Sequence, residues 1–366
     1  MAKLERLDLT LVRVPLMRPY ELAFGPLEAF DTIVVEATLD DGRTGLGEAT
    51  ITLSGYTNEV LGECWDFARE FADRFAGADT TATRAALVPH CVRFPFTTTA
   101  FGTAIEMALG SPLLAVETPA RVPILGLLQG ADEAALARDM DRLIEAGFQT
   151  LKFKVGRDVE NDLRRVATVQ ALLDGRATIR LDANRGFTRE EGCRFASSLD
   201  PTGIELFEQP CAADDWEAAW AVAGVARVPM MLDESIYGLD DIVRAAELGI
   251  VAYVKVKLMK FGGLAHLATA LELIRSRGLG AVLGNGVAHD TACWMEACVA
   301  RGRLANAGEM NGFLKPETAY VREPLRFERG AIVLEPGYRP ELDPVIAARV
   351  TQAKHSAGAS LAASRR

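Results

Sequence analysis

The sequence predicts an α/β protein: a closed, parallel, eight-stranded β/α barrel preceded by an α+β capping domain. Three observations predict it. The first fifty residues alternate apolar and polar positions around turn signals, as antiparallel strands do. From about residue 122, eight short apolar runs alternate with amphipathic helical stretches. Finally, successive runs close on acidic residues or lysines about one β/α unit apart.

In the cap, "LERLDLTLVRVPL" and "DTIVVEATLD" read as strands, and the DG turn of "DDGRTGLGEAT" leads to a third. Between the first two, "MRPYELAFGPLEAF" is too long for a simple hairpin and is expected as a loop. Residues 57–76 and 98–116 read as helices. The barrel runs are "VPILGLL", "TLKFKV", "ATIRLDAN", "GIELFEQP", "VPMMLDES", "AYVKVKL", "GAVLGNG" and "LANAGEM". Helices are expected over 131–146, 158–174, 188–199, 214–226, 239–248, 263–277 and 289–301. Several stop at a glycine (Gly147, Gly175, Gly249, Gly278), which tolerates the left-handed conformation of a helix C-terminus. "PLRFERGAIVLEPG" reads as two more strands, returning to the cap. The expected organisation is a cap over 1–120 with its return over 319–350, a barrel over 121–318, and a small polar tail over 351–366 expected to be disordered.

Composition excludes several classes of function. Fifty acidic against 40 basic residues leave a net charge of −10, the wrong sign for gripping nucleic acid. No apolar run reaches the length of a membrane span, and "MAKLERLDLT" lacks the apolar core of an export signal, so no membrane is expected as a partner and the cytoplasm is the expected compartment. Six cysteines without a CxxC pattern read as reduced thiols.

The ends of the runs carry the chemistry. The second holds Lys152 and Lys154, the third ends at Asp182, the fourth at Glu208, the fifth at Asp233, and the sixth holds Lys255 and Lys257. From Lys154 the steps are 28, 26, 25 and 24 residues, about one β/α unit each. In such barrels the active site lies at the C-terminal ends of the strands. Three carboxylates therefore converge on one rim, where they would take up protons unless a cation sat among them. An all-oxygen donor set suits Mg²⁺, or Mn²⁺. The lysine pairs flank the carboxylates from opposite sides, because strands two and six of eight face each other. A lysine so placed can serve as a base toward the α-proton of a metal-held carboxylate substrate. Such a small-molecule carboxylate is the expected partner.

With these motifs in place, "KFK" (152–154), "DAN" (182–184), "FEQP" (207–210), "DES" (233–235) and "KLMKFGG" (257–263), the chain resembles the enolase superfamily, in the muconate-lactonizing subgroup. The resemblance implies a modified TIM-type barrel, (β/α)7β, under its cap, and a homo-oligomer. It implies Mg²⁺ ligation by Asp182, Glu208 and Asp233, acid/base catalysis by Lys154 and Lys257, and Lys152 helping to hold the substrate carboxylate. Asn184 stands behind the ligands. Loops around 17–29 and 51–58, including Tyr56, would close over the substrate. Glu309 and Asn311, after the eighth run, take the place where dipeptide epimerases bind a substrate ammonium. The sequence departs from relatives that carry a glutamate just after the seventh strand: "LGNGVAHDTA" has no acid before Asp290. His289 is expected to begin a helix rather than act in catalysis.

Racemisation or epimerisation of an amino acid or a derivative is the simplest outcome of two lysines on two faces. The same intermediate could instead lose a β-substituent or undergo cycloisomerisation. More distant alternatives are a Schiff-base lysine of aldolase type and a metal-stabilised barrel without catalysis.

Overall fold

The computed structural model describes residues 2–22, 25–51 and 57–358. The cap begins with β1 (Leu4–Leu22), β2 (Gly25–Leu39) and β3 (Thr44–Ile51), paired antiparallel in that order. Along β1, Val12, Val14 and Leu16 are buried while Arg13, Pro15 and Met17 are exposed, the period of two that a half-buried sheet imposes. The stretch expected as a loop is strand up to the hairpin. Tyr20 pairs with Leu27, Glu21 with Pro26 and Leu22 with Gly25. A register shift between Pro15 and Tyr20, opposed only by Ala29 and Leu27, absorbs the surplus residues as a bulge.

Three helices cover the other side of the cap: α1 (Leu61–Phe75), α2 (Thr80–Leu87) and α3 (Pro95–Ala108). The stripe Cys64, Ala68, Phe71 and Ala72 buries the face of α1 that meets the sheet. Gly45 and Gly47 let α3 lie directly on β3; a Cβ at either would collide with the backbone carbonyls of Ala104 or Ala100.

After β4 (Ala120–Pro123) the barrel starts at β5 (Gly126–Leu128) and α4 (Glu133–Glu145). It continues through β6 (Thr150–Lys154), α5 (Val159–Leu173), β7 (Thr178–Asp182), α6 (Arg189–Ser198), β8 (Ile204–Glu208) and α7 (Trp216–Val225). Then come β9 (Met230–Leu232), α8 (Leu239–Leu248), β10 (Tyr253–Val256), the single turn α9 (Leu258–Phe261), α10 (Leu264–Ser276), β11 (Gly280–Leu283) and α11 (Asp290–Ala300). β5 to β11 form one parallel sheet in chain order. Side chains of Asp132, Asp158 and Asp215 accept backbone N–H bonds at the starts of α4, α5 and α7, and Thr188 with Glu191 forms a capping box on α6.

The eighth run closes the ring as a bridge rather than a strand. Glu309 N donates to Leu283 O, Gly308 N to Pro123 O, and Leu125 N to Gly308 O.

Two expectations for the C-terminal region are corrected. The pair β12 (Phe327–Glu328) and β13 (Ala331–Leu334) joins β4, not the cap sheet. After α12 (Pro344–Val350), residues expected to be disordered form β14 (Thr351–Gly358), which pairs antiparallel with β1. The exposed edge of β1 offers free backbone donors and acceptors, and a small polar segment satisfies them as well as an apolar one. All six cysteines are free. Among the described residues no helix is long and apolar enough to cross a membrane.

Candidate active site

Parallel register sets the site. Lys154 lies opposite Asp182 and Asp182 opposite Glu208, so the three share one rung of the barrel interior. Glu208 pairs with Met231 rather than Asp233. Asp233 therefore rises from the next rung, at the level of Lys255, because adjacent barrel strands are staggered. The equal spacing in sequence hid this stagger.

The ammonium groups reach the carboxylates from both ends of the row. Lys152 Nζ lies 2.7 Å from Asp182 Oδ2, 3.0 Å from Glu208 Oε2 and 3.0 Å from Glu309 Oε2. Lys154 donates to Asp182 Oδ2 at 2.6 Å and also to Asn184 Oδ1. On the far side Lys257 donates to Asp233 Oδ2 at 2.8 Å. Lys255 joins Glu208 Oε1 at 3.0 Å and also bonds Glu309. Lys260, three residues past Lys257, donates to Asp233 Oδ1 at 2.9 Å. Lys152 and Lys255 are almost wholly buried, whereas the Lys154 side chain is 33% exposed and can meet an incoming molecule.

Burial and charge pull these groups apart. Burial alone would raise Asp182, but Lys152, Lys154 and Lys255 outweigh it and hold the carboxyl down to about 2. Asp233 is likewise opposed by burial, yet Lys257, Lys260 and Lys255 keep it well below the usual carboxylate range. Glu208 goes the other way: burial and the neighbouring Asp182 push it up to about 7 despite Lys152 and Lys255. Burial lowers Lys260 to about 8 against the pull of Asp233.

These residues fit a hard divalent cation. The donor set is all oxygen, burial and Asp182 keep Glu208 raised even with two lysines against it, and Glu234 Oε2 is buried with no partner beside Asp182 and Asp233. Among the described residues no three acidic, histidine or cysteine side chains are grouped as a formed metal cage, because the lysines occupy the carboxylates. The backbone is shaped for the site as well. Asn184 and Gln209, just past Asp182 and Glu208, have φ of 42° and 37°, in the left-handed region. Gln209 Oε1 accepts the N–H groups of Asp233 and Ser235, tying one rim loop to the next.

The structure brings Lys152, Lys154, Asp182, Asn184, Glu208, Asp233, Lys257 and Glu309 into one bonded cluster, and leaves Asn311 outside it. Glu309 is bonded by Lys152 and Lys255, so the ammonium groups it meets belong to the chain itself. Asn311 accepts from Lys315 Nζ at 2.7 Å and donates to Leu125 O at 3.0 Å. Tyr56 lies outside the described residues. His289 precedes α11 as expected, but its ring does not cap the helix. It packs between Phe30 and Tyr320 with both ring nitrogens unpartnered, and burial lowers it to about 3. Sequence reasoning left Lys255 without a role and missed Lys260, Glu234 and Lys315. The signal for Lys260 was its i, i+3 spacing from Lys257.

The chain belongs to the enolase C-terminal domain-like family, whose sequence profile matches residues 135–344. It is an enzyme of the enolase superfamily. The hydrophobic dipeptide epimerase of Citrifermentans bemidjiense is 30% identical over 304 residues, covering 75% of this chain and 79% of that one. The L-Lys-D/L-Arg epimerase of Methylococcus capsulatus is 28% identical over 351 residues, covering 88% and 90%. Among solved structures, the dipeptide epimerase of Cytophaga hutchinsonii, complexed with Mg and the dipeptide D-Ala-L-Val, superimposes with a TM-score of 0.85 at 19% identity, covering 97% of this chain and 99% of that one.

Proposed function

We propose that the enzyme removes the α-proton of a carboxylate substrate and returns a proton on either face, racemising or epimerising an amino acid or a derivative of one. The observation that carries this reading is the attachment of Lys154 to Asp182 and of Lys257 to Asp233, the two ends of the carboxylate row. Two lysines entering from opposite ends suit a planar intermediate that is protonated on both faces. The names of the relatives, epimerases of dipeptides, support it.

Asp182, Glu208 and Asp233 would hold Mg²⁺, the ion named with the Cytophaga hutchinsonii relative. Bound there, the cation would draw charge from the substrate carboxylate and so acidify its α-carbon. Lys154 and Lys257 each take or give a proton at Nζ on their own side. Lys152 lends its charge toward the substrate carboxylate, and Asn184 holds Lys154 in place. A homo-oligomer in solution belongs to the same reading, and sedimentation as a monomer at micromolar concentration would remove it.

Single-lysine variants in D₂O test the two-base assignment. Lys154→Ala should lose α-proton exchange from one antipode and keep it from the other; Lys257→Ala should show the reverse. Interconversion should vanish in both, because a base reaches only the hydrogen on its own face. Loss of both exchanges in Lys154→Ala with both retained in Lys257→Ala would point to a single-base elimination instead.

A further inference from the structure

Lys154 and Lys257 are held in place by different means. Lys154 lies inside β6, paired with Asp182 of β7, and the ladder runs on past it, Val155 N donating to Asp182 O at 2.9 Å. Lys257 lies just past the end of β10, whose last rung pairs Val256 with Leu283. From there the chain turns at once into α9, a single turn closed by Lys260 N donating to Lys257 O at 2.9 Å. One helical turn is too short to hold itself. Lys257, at its N-cap position, cannot cap it either, because an ammonium only donates.

The acceptor that this turn lacks comes from α11. Glu296 Oε1 accepts the N–H of Leu258, the residue after Lys257, at 3.0 Å. Glu296 is 1% exposed, and its buried neighbours in α11, Met295, Ala297, Cys298 and Val299, are apolar. Its second oxygen, Oε2, has no hydrogen-bond partner among the described residues. A buried carboxyl with one oxygen unsatisfied costs stability, so packing alone does not account for an acid where a methionine would fill the space. Burial pushes Glu296 up to about 7 against the N–H groups of Leu258 and Asn285 and the charges of Lys257 and Lys255. The same turn is gripped from the cap. Thr99 Oγ1 of α3 donates to Met259 O at 3.3 Å, and a Cβ on Gly102 would come within 2.6 Å of Gly262 O.

We infer that Glu296 is a positioning residue for Lys257: by holding the Leu258 N–H it fixes the backbone from which Lys257 reaches its face of the substrate, and it does nothing comparable for Lys154. The inference rests on the proposed two-base chemistry and gives one face a side-chain support that the other face draws from the sheet. A base displaced by about 1 Å can lose roughly a hundredfold in rate, so losing this one bond should be felt at one antipode only.

The test reads α-proton exchange in D₂O from L-alanyl-L-leucine, L-alanyl-D-leucine, N-acetyl-L-leucine and N-acetyl-D-leucine. Glu296→Met fills the space without an acceptor. Exchange from the antipode that Lys257→Ala loses should fall at least about tenfold in it, while exchange from the other antipode stays within about threefold. Glu296→Asp keeps the charge but draws the carboxyl back by one methylene. It should show the same selective loss, and it decides the matter if Glu296→Met does not fold. Glu296→Gln keeps an oxygen acceptor and should hold both exchanges within about threefold of the unaltered protein. Crystal structures of the Met and Asp variants should show Lys257 Nζ moved off Asp233 with Lys154 still 2.6 Å from Asp182. Equal losses from both antipodes, or an unmoved Lys257, would overturn the inference and leave the two-base chemistry standing. Absence of exchange from all four probes in the unaltered protein would count against the proton chemistry, and the variant structures would then decide by themselves whether Glu296 positions Lys257.

Discussion

Lys152 uses its ammonium on three carboxylates, Asp182 and Glu208 at the ends of β7 and β8 and Glu309 beside the bridge that closes the ring. With it, Lys154, Lys255, Lys257 and Lys260 make five lysines against the five acids Asp182, Glu208, Asp233, Glu234 and Glu309, a formal balance of charge gathered at one barrel mouth. A balanced cluster can be buried where a lone charge cannot. Burial and the adjacent Asp182 push Glu208 up to about 7 even with Lys152 and Lys255 against it. Glu208→Gln should therefore fold normally by circular dichroism but lose at least about tenfold in Mg²⁺ affinity, since even residues behind the ligands of a metal site cost that much when removed. Calorimetric affinity equal to that of the unaltered protein would remove Glu208 from the ligand set. The residue types and strand-end positions of this cluster were legible in the sequence. The stagger that puts Asp233 on the next rung, and the diversion of Glu309 to two lysines, were not, since both depend on how strands slide past each other.

At the level of elements, α11 begins on a histidine that does not cap it, and its cap comes from another domain. Glu48 of β3 accepts the N–H groups of His289 and Ala292 with Oε1 and the Tyr320 hydroxyl with Oε2. An acidic residue at a helix N-terminus suits the helix dipole, yet burial outweighs these bonds and pushes Glu48 up to about 7. The sign follows from linkage. The folded carboxyl holds its proton more tightly than the unfolded one, so stability from this group is complete below about pH 4.5 and is lost as pH rises to about 7. Glu48→Gln keeps an acceptor for both N–H groups and cannot ionise. Between pH 5 and 8 it should flatten the decline in urea-unfolding stability by at most about 3 kcal/mol relative to the unaltered protein. Glu296 and Asp290, raised by burial to about 7 and about 6, titrate in the same window, which is why the difference between the two curves is the quantity to read. Parallel pH curves would mean that Glu48 is not the titrating group.

Across the whole molecule, the chain leaves the cap, builds the barrel and comes back. β14 pairs with β1 from Arg6 opposite Gly358 to Val12 opposite Thr351, with Ala357 buried and Ser356 donating to Asp8. Ending the chain after Val350 should uncover the edge of β1 and lower Tm by more than about 3 °C, read by calorimetry. An unchanged Tm would show that the strand only decorates the sheet.

Some of this architecture was settled within each segment. The alternation of apolar runs with amphipathic helices specified parallel β/α units, and the side chain ending each run specified which chemistry would gather at the rim, because parallel strands bring their C-terminal ends to one side. Other features needed the folded chain. The pairing of β14 with β1, the joining of β12 and β13 to β4, and the bulge that turns an expected loop into strand all depend on which backbone edges remain open after the domains pack. Lys315 carries no local signal; it meets the Tyr20 ring only because β1 runs beside the segment at 315–316, with Met17 N donating to Lys315 O and Leu16 bridging Pro316. Short-range patterning determines what each segment is, and long-range packing decides which charges meet.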